Sequence, residues 1–486
     1  MIVLSVVRII LHDIELPILF YFLMVNGGYG ILLLIAIFDL KGHLFRMRGE
    51  AHWRLLGSQV APRISVLAPA YNEASTICES VRALLTLYYP NLEVVVINDG
   101  STDTTLETLK RHFKLAPIHP IYRQQVKTKP VKGLYRSRQY PNLIMVDKEN
   151  GRKADAMNAG LNLASGELVC AIDADTIIDP DALQRMVRPF LLGTNVLATG
   201  GTIRLTNGST ISGGRVTQAR APRHPIPGIQ AVEYLRAYLF GRLGWNHLGG
   251  NLIISGAFGL FRRDAVIAVG GYTHDSIGED MELVFRLRRH GYETGGPHRV
   301  DFIPDPVAWT EAPETLAVLG GQRDRWHRGL IDTLWRHRQV FFNPRYGGMG
   351  LIVYPYFFFV ELLAPAIEAI GLFSLAVGIA TGAMNWGFAF LFFMVAYGIG
   401  LFLDGMTFVM EEFSFHRYDT FRDRALLFLW AVIEQFGYRQ ITIYWRLRGI
   451  VKFFRGQQDW GAMQRKGFGP AVDLDHVTGK TPSEAD

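Results

Sequence analysis

Cysteine is scarce: Cys78 and Cys170 are the only two in 486 residues. Two thiols cannot build a disulfide framework. Both fall in apolar periodic segments, so they read as buried, reduced side chains in a reducing compartment. No internal repeat and no low-complexity tract is present. A strong charge of one sign is missing too. The 50 Lys and Arg against 44 Asp and Glu leave a net charge of +6, which does not specify a nucleic-acid binder. Many of the arginines sit beside apolar spans, where an anionic membrane surface accounts for them better. Long apolar runs are absent from about residue 50 to 345, a stretch rich in charge, Gly and Pro that reads as an ordinary globular domain.

The apolar content, 49% of all residues, gathers at the two ends. Leu16 to Phe38 is uncharged and long enough to cross a hydrocarbon core, which needs roughly 20 helical residues. A cleaved signal peptide is disfavoured, because the run is long for that role and no small-residue cleavage site follows it. Lys41, Arg46, Arg48 and Arg54 follow instead and place the downstream domain inside. Leu351–Ala380 and about Trp386–Met410 form two further spans, in which Glu361 and Glu368 are expected to face protein or a polar path. A third segment, about Ala425–Phe453, carries Glu434, Arg439 and Gln440 near its middle. It either crosses while lining a channel or lies along the interface. The basic residues after it, Arg446 to Lys466, favour an interfacial or re-entrant course and a cytoplasmic tail. The expected organisation is an N-terminal membrane helix (1–45), a globular domain (60–345), membrane or interfacial helices (346–455) and a tail (456–486).

Within the globular part, apolar runs alternate with helical patterns. Ile64–Ala68 precedes a helix from about Glu73, and Leu92–Ile97 one from about Asp103. Leu143–Val146 precedes a helix from Lys153, and Leu168–Ile172 ends in Asp173-Ala-Asp175. This order predicts an α/β fold with a mainly parallel sheet covered by helices on both faces. Ligands of such sheets bind at the carboxyl ends of the strands, where Asn72-Glu73, Asn98-Asp99-Gly100 and Asp173-Ala-Asp175 fall. Residues 114–142, with several Lys, Arg, Gln and Pro, read as an irregular insertion.

Each polar cluster has an ordinary reading beside a chemical one. Asp173 and Asp175 present two carboxylates across a tight turn, suited to one hard divalent cation bridging to diphosphate oxygens; Asp-x-Asp also occurs by chance. Asn98-Asp99-Gly100-Ser101 supplies acceptors for a nucleoside, or merely turns a strand into a capped helix. Lys153 and Asp155 open a helix with cation and carboxylate close together. Glu279 and Asp280 begin another, where negative charge suits the helix dipole. A single positioned carboxylate also suits removal of a proton from an attacking hydroxyl, and Asp280 is the candidate base. Gln322, Arg325 and Trp326 share one helical face, combining an amide, a guanidinium and an aromatic plate. That surface suits a leaving diphosphate and a sugar ring, or else packs Trp326 inward while Arg325 is solvated.

Taken together, Tyr71-Asn-Glu73, Asn98-Asp-Gly-Ser, Asp173-Ala-Asp175, Gly278-Glu-Asp280 and Gln322-x-x-Arg325-Trp326 resemble, in this order, the processive family-2 glycosyltransferases. These include the synthases of cellulose, chitin, hyaluronan and poly-β-1,6-N-acetylglucosamine. The resemblance covers roughly residues 60–345 and implies a GT-A (Rossmann-like) glycosyltransferase domain with flanking transmembrane helices. It implies that Glu73 and Asp99 contact uridine with Lys153 and Asp155 nearby, and that Asp173 and Asp175 hold the diphosphate through Mg²⁺ or Mn²⁺. Asp280 would be the base with Glu279 beside it, and Gln322, Arg325 and Trp326 would hold the diphosphate and the acceptor end. Ser255-Gly-Ala-Phe-Gly259 looks like the acceptor-side loop and, with the short chain, is most similar to the poly-N-acetylglucosamine type.

The implied reaction transfers sugar from UDP-GlcNAc or UDP-Glc, with inversion, to a growing β-linked polysaccharide that is exported across the bilayer. The implied setting is the inner (plasma) membrane, with a multi-pass chain, a cytoplasmic catalytic domain, room for a small accessory membrane subunit and no nucleic acid. Two departures stand out: Gly278 replaces the family's Thr before Glu-Asp, and Asn98 replaces the first Asp of its Asp-Asp-Gly. Neither removes a group the chemistry requires. Single-sugar transfer to a lipid or polyprenyl acceptor, and a non-enzymatic scaffold, stay open as alternatives.

Overall fold

A computed structural model describes residues 2–48, 61–173, 176–418 and 420–457. Among them, one sheet runs β3-β4-β5-β2-β1-β6-β11-β8-β12-β7, and β9 (Thr210–Ser212) pairs separately with β10 (Arg215–Gln218). Its centre is the parallel set β1 (Ile64–Ala70), β2 (Leu92–Asn98), β5 (Leu143–Lys148) and β6 (Leu168–Ile172). Every residue of β2 and β6 is buried, because helices cover both faces; β6 is a continuous apolar run, and β2 departs from one only at Glu93 and Asn98. Cys170 lies in this core and Cys78 is half-buried; both are free thiols.

Two parts of the sheet depart from the sequence reading. Residues 114–142 are not wholly irregular, since β3 (Leu115–Ile118) and β4 (Val131–Ser137) add an antiparallel edge. The outermost strand is β3, where Pro117 has no N–H to offer a further strand. Beyond β6 the sheet turns mixed: β11 (Phe258–Arg262) runs antiparallel to both β6 and β8 (Val196–Leu205). Antiparallel pairing matters for position. It sets the start of β11, Phe258, opposite the end of β6, Ile172, and so brings the Ser255–Ala257 turn beside Asp173. β12 (Arg299–Thr310) then pairs parallel with β8, and β7 (Ile177–Ile178) closes the edge.

Three helices are long and apolar enough to cross a bilayer: Leu11–Phe45, Met349–Thr381 and Trp386–Ser414. They flank the sheet domain in sequence, as the hydropathy predicts. The two acidic residues expected to face protein or a polar path have protein partners. Glu361 accepts from the hydroxyls of Tyr29 (3.4 Å) and Tyr356 (3.3 Å), and Glu368 pairs with Arg439 at 2.6 Å. The later segment does not form a long apolar helix. It divides into Phe421–Ile433 and Arg439–Phe454, of 13 and 16 residues, with non-helical backbone at Phe436 and Gly437 between them. Neither piece matches the roughly 20 residues a crossing needs. The second lies on the domain instead: Arg448 and Lys452 reach Asp324 at 3.1 and 2.7 Å. The basic residues Arg54, Arg465 and Lys466 lie outside the described residues.

Candidate active site

The loops after β1 and β2 are laced together at the carboxyl end of the sheet. Asn72 adopts positive φ (56°), and its side-chain oxygen accepts from Thr102 N at 2.8 Å. Glu73 N donates to Thr105 Oγ1 (2.9 Å) and Ala74 N to Asp103. Glu73 itself is half-buried, and its carboxylate accepts from Thr76 Oγ1 at 3.0 Å. These bonds fix two connections that would otherwise be independent, and they bring Glu73 and Asp99 to the same rim.

One strand further along, four of the expected residues meet. Lys153, in the first turn of the Arg152–Leu163 helix, forms an ion pair with Asp173 at the end of β6. Its ammonium is also 3.7 Å from Glu279 and donates to Gly256 O at 3.3 Å. Asp280 Oδ2 accepts from Gly256 N at 3.0 Å. Gly256 thus touches both the cation and the candidate base. A Cβ there would lie 3.0 Å from Lys153 Nζ and 3.3 Å from Asp280 Oδ2, so a side chain at this position would crowd both groups by a few tenths of an ångström.

Electrostatics divide the carboxylates of this helix start. Burial pushes the Glu279 carboxyl above its ordinary range; Lys153 opposes that shift and Asp280 adds to it. One turn along, burial also acts to raise Glu282, but the His337 imidazole 3.4 Å away and the Arg286 guanidinium hold it down at about 2. Lys153 is half-buried, and the desolvation favours its neutral form, yet Asp173 and Glu279 outweigh that and raise it above the usual lysine range. Glu282 is therefore a structural anion, whereas the group around Lys153 is a concentration of charge in a cleft, as expected where chemistry is done. Asp175 lies outside the described residues.

Asp155 and Asp99 belong to an adjoining, more enclosed cluster. Asp155 is two residues from Lys153 and points elsewhere, since positions i and i+2 of a helix do not share a face. Its carboxylate takes Lys148 Nζ at 2.5 Å and Lys129 N at 3.0 Å. Asp99 takes the same ammonium at 2.6 Å. Lys148 did not stand out in the sequence; the signal was a lysine ending a mostly apolar strand.

Gln322, Arg325 and Trp326 do share one face of the Leu316–Arg336 helix. Trp326 is 45% exposed, so the inward-packing reading does not hold. Arg323 lies over its ring at 4.5 Å and is pinned by Glu233 and the Tyr438 hydroxyl. Gln322 Oε1 is buried and takes no hydrogen bond among the described residues. Arg325 is half-buried. This helix crosses the start of the Glu279–Thr294 helix backbone to backbone: a Cβ on Gly278 would lie 3.2 Å from Gly329 Cα. The Gln322 face lies two turns, roughly 10 Å, along the helix from that crossing.

A divalent cation fits the donors on hand. Asp173 offers hard carboxylate oxygen on a half-buried side chain facing the cluster. Among the described residues no group of three or more His, Cys, Asp or Glu could enclose a metal. One carboxylate or two, completed by substrate phosphates, is the mode magnesium-like ions favour.

Comparison with known proteins gives consistent matches. The model of glycosyl transferase family 2 matches residues 65–270, and that of glycosyl transferase family group 2 matches residues 168–403. A poly-beta-1,6-N-acetyl-D-glucosamine synthase of Staphylococcus aureus (strain COL) is 33% identical over 276 residues, covering 56% of each chain. Its namesake from Staphylococcus epidermidis is 31% identical over 274 residues, with the same coverage. The chain thus spans a little over half the length of these curated relatives. Among solved structures, the mannosyltransferase PcManGT of Pyrobaculum calidifontis, in complex with GDP-Man and Mn²⁺, is 20% identical. It covers 85% of this chain and 99% of that one, with a TM-score of 0.49.

Proposed function

We propose that this chain is a family-2 glycosyltransferase, a reading supported by the two family-model matches and the synthase relatives, and that it polymerises an N-acetylglucosamine-type sugar from a UDP donor and passes the product into the membrane. The observation that carries this reading is the meeting of Lys153, Asp173, Glu279 and Asp280 around Gly256. Asp280 takes the proton of the acceptor hydroxyl as that oxygen bonds to the donor C1; the C1–phosphate oxygen bond breaks and UDP leaves. Lys153 faces the diphosphate, whose negative charge grows as the bond breaks. When bound at Asp173, Mg²⁺ or Mn²⁺ neutralises part of the same charge.

Polymerisation draws support from Trp326, exposed on a helix that packs against the membrane-side segment through Asp324 and Arg448. An aromatic plate there can hold a sugar ring while the next unit is added. The apolar helices give a hydrophilic product a protein-lined route that lipid alone denies it. The relatives' names favour N-acetylglucosamine over glucose. In this reading the sheet domain (60–345) is cytoplasmic in a multi-pass inner-membrane chain, with helices 346–455 beside it, and Asp175 is a second ligand of the cation.

Inverted membrane vesicles supplied separately with labelled UDP-GlcNAc, UDP-Glc and UDP-GlcA test the proposal. The expected product is a long polymer from UDP-GlcNAc, formed only with Mg²⁺ or Mn²⁺. One sugar on an organic-extractable lipid would replace polymerisation by single transfer. Long polymer from UDP-Glc alone would overturn the choice of sugar.

A further inference from the structure

Lys148 ends β5 with its side chain fully buried, an expensive place for an ammonium. Its three donors have three acceptors: Asp99 Oδ1 at 2.6 Å, Asp155 Oδ2 at 2.5 Å and the Glu149 carbonyl at 2.5 Å. One cation therefore ties the loop after β2 to the first turn of the Lys153 helix. For folding alone, apolar side chains would fill this space at lower desolvation cost. The bonds to Asp99 are also one-sided. Lys148 and Gly151 N (3.0 Å) both bind Oδ1, so Oδ2 is the oxygen left over by the fold among the described residues. The far carboxylate, Asp155, is held in turn by Lys129 N and lies 3.6 Å from His274 Nδ1.

We propose that Lys148 is a positioning residue that clamps one oxygen of Asp99 so that the other reads an imide N–H on the donor nucleobase. The proposal rests on the reading of Asp99 as a nucleoside contact. A carboxylate fixed in this way accepts from the N3–H of uracil, whereas the unprotonated N3 of cytosine at the same place turns a lone pair toward it. Asp155 serves the site indirectly, as the second anchor of Lys148.

Three variants in membranes test this, with UDP and CDP affinity measured beside donor KM and kcat. Lys148→Met is expected to weaken UDP binding at least tenfold, narrow the preference for UDP over CDP about tenfold, and change kcat at saturating donor less than threefold. A purely structural role would lower the amount of folded enzyme without that split. Lys148→Met with Asp155→Asn removes one cation and one anion together, which guards against misfolding from an unbalanced buried charge. It should keep the same binding defect; wild-type UDP affinity and selectivity in this double variant would overturn the proposal. Asp99→Asn should lose UDP preference as well. If it binds UDP like wild type, the reading of Asp99 fails, and the clamp with it. Unchanged binding by Lys148→Met, in membranes that still transfer sugar, would overturn the clamp and leave the family reading intact.

Discussion

Asp280→Asn is expected to cut sugar transfer by about 10³-fold while leaving UDP affinity near the wild-type value. The size is that of a lost general base, roughly 10²–10⁴. Asparagine keeps the shape of the side chain and can still meet Gly256 N, which donates to Asp280 at 3.0 Å. Only the capacity to accept a proton disappears. Single-turnover transfer and UDP binding, measured on the same membranes, separate the two effects. Transfer near the wild-type rate would remove Asp280 from the chemistry and shift attention to Glu279. Burial raises that carboxyl above its ordinary range.

Lys153→Met should lower kcat/KM by about 10²-fold or more, through both donor binding and turnover. Lys153 is the cation among Asp173, Glu279 and Asp280. Removing it leaves three carboxylates facing an incoming diphosphate, and loss of one buried charge partner typically costs several kcal/mol. Lys153→Arg should recover only part of the rate, because a planar guanidinium cannot serve Asp173 and the Gly256 carbonyl from the same point. Steady-state kinetics over a range of donor concentrations decide the matter. Constants within threefold of wild type for Lys153→Met would show that the ammonium does not face the diphosphate.

The parts of the fold visible in the sequence were those where one physical rule dominates. β1, β2, β5 and β6 are covered on both faces, so each is dominated by apolar residues, with Ser65, Glu93 and the polar strand ends as the exceptions. β12 carries Arg299, Asp301, Asp305 and two prolines and could not be read that way, although it pairs along most of β8. β11 is five residues long and contains Gly259; only its partners reveal it. It is nonetheless the strand that carries Gly256 to Asp173. The same limit applies to side chains. Lys153 and Asp155 look like one unit in the sequence, yet the helix turns them toward different clusters. Glu361 and Glu368 were legible because charge within an apolar span demands a partner. The partners themselves, Tyr29, Tyr356 and Arg439, come from distant elements that no local pattern links.

The central claim is a single displacement at the donor carbon, with one carboxylate receiving the acceptor proton. The anomeric configuration of the newly formed linkage tests it most directly. Membranes supplied with α-configured UDP-GlcNAc are expected to yield a β-linkage, read by the proton coupling at the anomeric carbon in the first product formed. An α-linkage would contradict the account, because it requires two displacements or a front-side attack for which a lone base at Asp280 is the wrong device.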